Sequence, residues 1–103
     1  MATTAELKRS VDLNLDIVDF EIEDILELAS IWDDEPDEIR AAEELAWNST
    51  MSRLRLDLDP AYRAGQMTRE QAERYRRLLQ RLAELLPIIE RLGLAKPPVS
   101  LTP

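Results

Sequence analysis

The stretch of residues 11–32, VDLNLDIVDFEIEDILELASIW, decides the fold of this chain. Its apolar residues recur at alternating steps of four and three, the spacing of a helix seam that packs against another helix. The members of this first-helix seam are Val11, Leu15, Val18, Ile22, Ile25, Ala29 and Trp32. The pattern predicts a long first helix over about residues 13–32.

A second apolar face is rotated from the first-helix seam. It consists of Leu13, Ile17, Phe20, Leu28 and Ile31. An ordinary surface helix has one apolar stripe, so two stripes predict at least two apolar partners. The remaining strip is acidic and contains Asp12, Asp16, Asp19, Glu23, Glu27 and Asp34. Like charges four residues apart destabilise an isolated helix by a few tenths of a kcal/mol, so we also expect a nearby cationic surface.

Residues 11–17 allow a competing interpretation, because apolar and polar residues alternate strictly there. A short extended N-terminal arm is therefore an alternative to helix. Residues 53–59, RLRLDLD, alternate in the same way, and their arginines complement Asp12 and Asp16. The two segments could form a two-stranded ribbon, although such a ribbon is marginal in water unless it packs on helices.

Two further helices are predicted, over about residues 36–57 and 68–92. Pro36 suits the first turn of the second helix, and a change of apolar phase at residues 47–50 predicts a bend or a change of partner. Asp59-Pro60 and Gly65 delimit a short helical turn at residues 60–64. Thr68 and Gln71 form a capping box at the start of the third helix. Pro87 should kink this helix, and residues 94–103 form an extended tail after it.

The third helix carries complementary charge. Its apolar seam contains Ala72, Tyr75, Leu79, Leu82, Leu86 and Ile89, and a cationic stripe runs beside it. Residues 1–59 carry 17 acids and 5 bases, whereas residues 60–103 carry 4 acids and 8 bases. The two halves should therefore face each other. The candidates for charge pairing are Asp16, Asp19, Glu23, Arg74, Arg77 and Arg81.

The length of the helices predicts the shape of the molecule. A chain of 103 residues is one domain, and a helix of about 24 residues is roughly 36 Å long. The predicted fold is all-α, an elongated three-helix bundle or a helical hairpin. Because a thin bundle buries little apolar surface, we expect a homodimer or a higher homo-oligomer. The alternative is a monomer in which the second helix and the tail cover the second apolar face of the first helix.

The residue types exclude most chemistry. The chain has no cysteine and no histidine, so it lacks thiol nucleophiles, the usual general base and the commonest nitrogen metal ligand. It has no catalytic or phosphate-binding motif, and we expect neither an enzyme nor a cofactor. An all-carboxylate metal site within residues 33–38 is a weaker alternative. The net charge of -8 argues against direct binding of nucleic acid, and no apolar run is long enough to span a membrane.

We therefore expect a small cytoplasmic protein–protein interaction module, acting as an adaptor, subunit or regulator that self-associates. The candidate interface residues lie on the two helix seams or are tryptophans near the acidic break, since tryptophan is enriched at interfaces. They are Val18, Ile22, Ile25, Trp32, Trp47, Met51, Tyr75, Leu79, Leu82 and Leu86. The alternative function is an acidic inhibitor that occupies a basic, nucleic-acid-binding type of surface on a partner protein.

Overall fold

The computed structural model describes residues 3–102, which fold as an all-α bundle, as predicted. The helices are α1 (Thr4–Ala29), α2 (Asp37–Arg53), α3 (Asp59–Arg63) and α4 (Arg69–Leu92). A 3₁₀ turn (Trp32–Asp34) follows α1, and a π-helical turn (Leu54–Leu58) joins α2 to α3. The overall dimensions are 45 × 26 × 18 Å, so the single chain is elongated.

Helix α1 begins at Thr4, where Thr3 and Glu6 fit a capping box in the sequence, rather than at about residue 13, and the extended N-terminal arm is wrong. The Thr3 hydroxyl accepts a hydrogen bond from the Glu6 amide at 3.1 Å, and the Glu6 carboxylate accepts one from the Thr3 amide at 3.2 Å. This capping box starts a helix that runs through residues 11–17. Leu15 is completely buried while Leu13 is 58% exposed, as a helix requires and a strand does not.

The second segment forms one continuous helical rod from residue 37 to residue 63. It continues through residues 47–50, where we expected a bend, and the departure from α-helix comes later, in the π-helical turn. That turn replaces the proposed ribbon strand; residues 3–102 contain no strand. The short helical turn predicted at residues 60–64 is present as α3, which follows the π-helical turn directly and ends just before Gly65, whose φ of 69° is left-handed. Asp59 does not cap it; its carboxylate accepts a hydrogen bond from the Tyr75 hydroxyl at 2.9 Å.

Helix α4 begins at the predicted capping box, with reciprocal hydrogen bonds of 3.1 and 3.0 Å between Thr68 and Gln71. It continues through Pro87 and ends at Gly93, whose φ of 73° is left-handed. The non-helical tail then folds back: Leu94 is buried, and the Trp47 indole donates a hydrogen bond to the Ala95 carbonyl at 2.7 Å. The tail therefore contributes to the core.

Helix α1 contacts each of the other long elements: it packs against α4, against α2 and against the π-helical turn. It ends at Ala29 rather than at residue 32, and the Arg91 guanidinium donates a hydrogen bond to the Ala29 carbonyl at 2.9 Å. This contact satisfies one of the unpaired carbonyls at the end of α1 and ties it to the end of α4.

Candidate functional site

The predicted interface residues form the core of a single chain. Nine of the ten are buried, and Leu86 is half-buried. The first-helix seam meets the third-helix seam and the inner side of α2 within one molecule. A contact with another chain would therefore have to use other side chains, and the exposed apolar side chains become the relevant ones.

Two of the three predicted arginines join α4 to the acidic strip of α1. Arg74 contacts Asp19 at 2.6 Å and Asp16 at 2.7 Å, and Arg81 contacts Glu23 and, at 3.6 Å, Asp19. Burial alone would lower the pKa of Arg74, but its hydrogen bonds with both aspartates outweigh this effect and raise it. The opposite charges of the two halves of the sequence thus meet inside the chain.

The third arginine, Arg77, has a different environment. It forms no ion pair with the described part of the chain and is exposed. Together with Arg76 and Gln80 it lines an open cavity of about 460 Å³, which Leu101 of the tail borders. Its lining also includes the anionic Glu73 and the apolar Ala83, and none of the described lining residues is fully buried.

The second apolar face of α1 stays largely uncovered. Phe20 is 72% exposed and Leu13 is 58% exposed, while Ile17 between them is half-buried. These three residues, spaced four and three apart, form what we call the outer face of α1. The side chains directly opposite, Leu15 and Val18, are completely buried. Helix α1 therefore has apolar surface on both sides, of which only one is used within the chain.

Three carboxylates meet beside the outer face. Glu21 and Asp24 lie one turn apart on α1, and Glu43 approaches from α2. One oxygen of each lies within 4.8 Å of one oxygen of both others. Glu21 is only 6% exposed, and its Oε1 atom and the Oε2 atom of Glu43 have no hydrogen-bond partner. Within residues 3–102, none of the three forms an ion pair with a basic side chain.

This environment disfavours negative charge. Burial, together with the charges of Glu43 and Asp24, raises the pKa of the Glu21 carboxyl from its ordinary value of 4.5 to about 7. Burial also raises the pKa of Glu43, with further contributions from Asp24 and from the charge of Glu35. Both shifts show that burial and neighbouring carboxylates disfavour a fully ionised cluster.

The acidic segment at residues 33–38, the weaker alternative for a metal site in the sequence, does not supply such a cluster. Among the described residues, the carboxylates close enough to share an ion are Glu21, Asp24 and Glu43. Sequence reasoning missed Glu21 and Glu43. A signal was present, because Glu21 falls between the two apolar faces rather than on the acidic strip.

Comparisons with family models, with curated proteins and with solved structures found no match to this chain. Within residues 3–102, none of the helices combines the length and the apolar character needed to cross a membrane.

Proposed function

We propose that this protein is a protein–protein interaction module whose outer face of α1 binds a cationic amphipathic helix of a partner. The observation that carries the proposal is the exposure of Phe20, which is 72% exposed beside Leu13 on a long helix. Aromatic side chains on an exposed apolar stripe are common anchors at interfaces, and helices commonly dock through residues at four-three spacing.

The charge of the surroundings favours a cationic partner over a second copy of the chain. Residues 1–59, which include α1 and α2, have 17 acids against 5 bases. Among residues 3–102, ion pairs compensate only five of these acids: Asp16, Asp19 and Glu23 pair with Arg74 and Arg81, Asp37 pairs with Arg40, and Asp59 pairs with Arg63. Two copies that met through this face would bring acidic surfaces together, whereas basic flanks on a partner would complement them.

Self-association through the helix seams has less support than binding of a cationic helix to the outer face of α1. Those seams were the reason to expect a homodimer, and they are occupied inside one chain. The inhibitor function is a special case of the proposal, in which the cationic helix belongs to a surface that otherwise binds nucleic acid. Adaptor and inhibitor then share one binding face and differ only in what the partner does.

The test uses a synthetic helix of about 20 residues with one apolar stripe and lysine flanks. Fluorescence anisotropy of the labelled peptide should show saturable binding that weakens with salt. A peptide of the same composition in scrambled order, which has no apolar stripe, should bind much less. Replacing Phe20 with Ser should weaken binding about 30-fold, the effect of losing about 2 kcal/mol at an interface anchor.

Leu45→Ser is the matched control, because Leu45 on α2 is 71% exposed, nearly as much as Phe20. It should leave the affinity unchanged. Equal binding of the striped and scrambled peptides, or an equal loss in both variants, would contradict the proposal. A Phe20-dependent dimer in analytical ultracentrifugation would replace the cationic partner with a second copy of the chain.

A further inference from the structure

The carboxylates of Glu21, Asp24 and Glu43 form a second feature that the proposed function does not use. We propose that these three side chains bind a hard divalent cation, of the Ca²⁺, Mg²⁺ or Mn²⁺ type, between α1 and α2. The site is distinct from the outer face of α1, so the two proposals can fail separately.

The geometry fits an ion at the centre of the cluster. Glu21 and Asp24 are three residues apart on α1, which places both on one side of the helix, and Glu43 faces them from α2. Their oxygens lie within 4.8 Å of one another. Two oxygens on opposite sides of a Ca²⁺ ion, each at about 2.4 Å, are separated by about the same distance.

Burial provides an independent reason to expect a ligand. Glu21 is 94% buried, and its side chain reaches into the cluster. Its Oε1 atom has no hydrogen-bond partner. A buried carboxylate without a partner is costly, and no basic side chain of residues 3–102 pairs with it. Glu43 also has an unpartnered oxygen. A divalent cation would satisfy both oxygens and offset most of the local charge.

The donor set selects the class of ion. All three donors are carboxylate oxygens, and the chain contains neither histidine nor cysteine to favour softer metals. Asp24 and Glu43 are only half-buried, so the site is open to solvent on one side. Water can therefore supply the remaining ligands, as it does for Ca²⁺ and Mg²⁺ in many proteins. The ion would link α1 to α2 where no ion pair does.

Isothermal titration calorimetry on the EDTA-treated full chain tests this inference. Separate titrations with CaCl₂, MgCl₂ and MnCl₂ at neutral pH should reveal one saturable site for at least one ion. The same ion should raise the melting temperature. Glu21→Gln and Glu43→Gln should each weaken binding at least tenfold and abolish the rise in melting temperature, since each removes one ligand charge.

Two controls separate this site from general attraction to an acidic surface. Glu27→Gln changes an exposed carboxylate on the same helix, and Asp33→Asn with Asp34→Asn changes two in the acidic break. Both should bind like the unmodified chain. Absence of saturable binding up to about 10 mM of all three ions, above the weakest affinities of protein calcium sites, would overturn the inference. Undiminished binding by Glu21→Gln and Glu43→Gln would overturn it as well.

Discussion

Replacing Glu21 with Gln should stabilise the metal-free protein at about pH 8 and change its stability little near pH 4.5. The folded-state pKa of Glu21 is about 7, whereas the unfolded-state value is near 4.5. Below pH 4.5 the carboxyl is protonated in both states and contributes nothing. As the pH rises from 4.5 to about 7, the unfolded state releases its proton while the folded state retains it, so folding becomes less favourable.

The size of the effect follows from the difference between the two pKa values. Each pKa unit corresponds to about 1.4 kcal/mol, so the difference between 4.5 and about 7 corresponds to roughly 3 kcal/mol of destabilisation above pH 7. Glutamine has nearly the shape of a protonated glutamate and does not titrate. It therefore avoids the repulsion that the charges of Glu43 and Asp24 exert on the ionised Glu21 carboxylate. The variant should therefore gain about 2–3 kcal/mol over the unmodified chain at high pH.

Urea denaturation followed by circular dichroism, in EDTA and at several values between about pH 4.5 and pH 8, measures this difference. Glu27→Gln on the same helix is the matched control and should stay within about 0.5 kcal/mol of the unmodified chain throughout. If Glu21→Gln has the same effect at both ends of the pH range, or destabilises the protein at pH 8, Glu21 does not carry the buried charge.

Two other predictions concern the fold. Leu15→Ala should lower the free energy of unfolding by about 2–5 kcal/mol, whereas Leu13→Ala should change it by less than about 0.5 kcal/mol, because Leu15 is completely buried and Leu13 is 58% exposed. Similar losses from both substitutions in urea denaturation would place them on one face and refute the helical register. Arg74→Ala should cost about 1 kcal/mol at low salt and less in 1 M NaCl, since the contact with Asp19 is partly exposed. Arg77→Ala, without an ion pair in residues 3–102, should cost nothing measurable, and an equal cost at both positions would contradict the pairing.

The helical fold class and several helix ends could be predicted from local sequence. Thr68 with Gln71 correctly placed the start of α4, and Gly93 its end, because capping depends on residues close in the chain. Where the local sequence was compatible with both helix and strand, tertiary packing determined which one formed. Residues 11–17 alternate like a strand, yet α4 and α2 bury Val11, Leu15 and Val18 at helical spacing.

The two candidate sites also differ in how far local sequence predicts them. The outer face of α1 is visible as a second apolar stripe in the sequence, but its exposure depends on how much of α1 the other helices cover. The unusual position of Glu21 is visible in the sequence, but its meeting with Glu43 could not be predicted. Glu43 is 22 residues from Glu21, and its position beside Glu21 results from the packing of α2 on α1.

The sequence by itself determined that this chain is helical, which faces of its helices are apolar, and that its halves carry opposite charge. Only the tertiary structure decided that the seams are filled within one chain, that Phe20 is left exposed, and that three carboxylates meet with no basic partner from residues 3–102. Periodicity and capping act over a few residues and fix which surfaces need burial. The residues that bury them come from distant parts of the chain, and local sequence does not specify them.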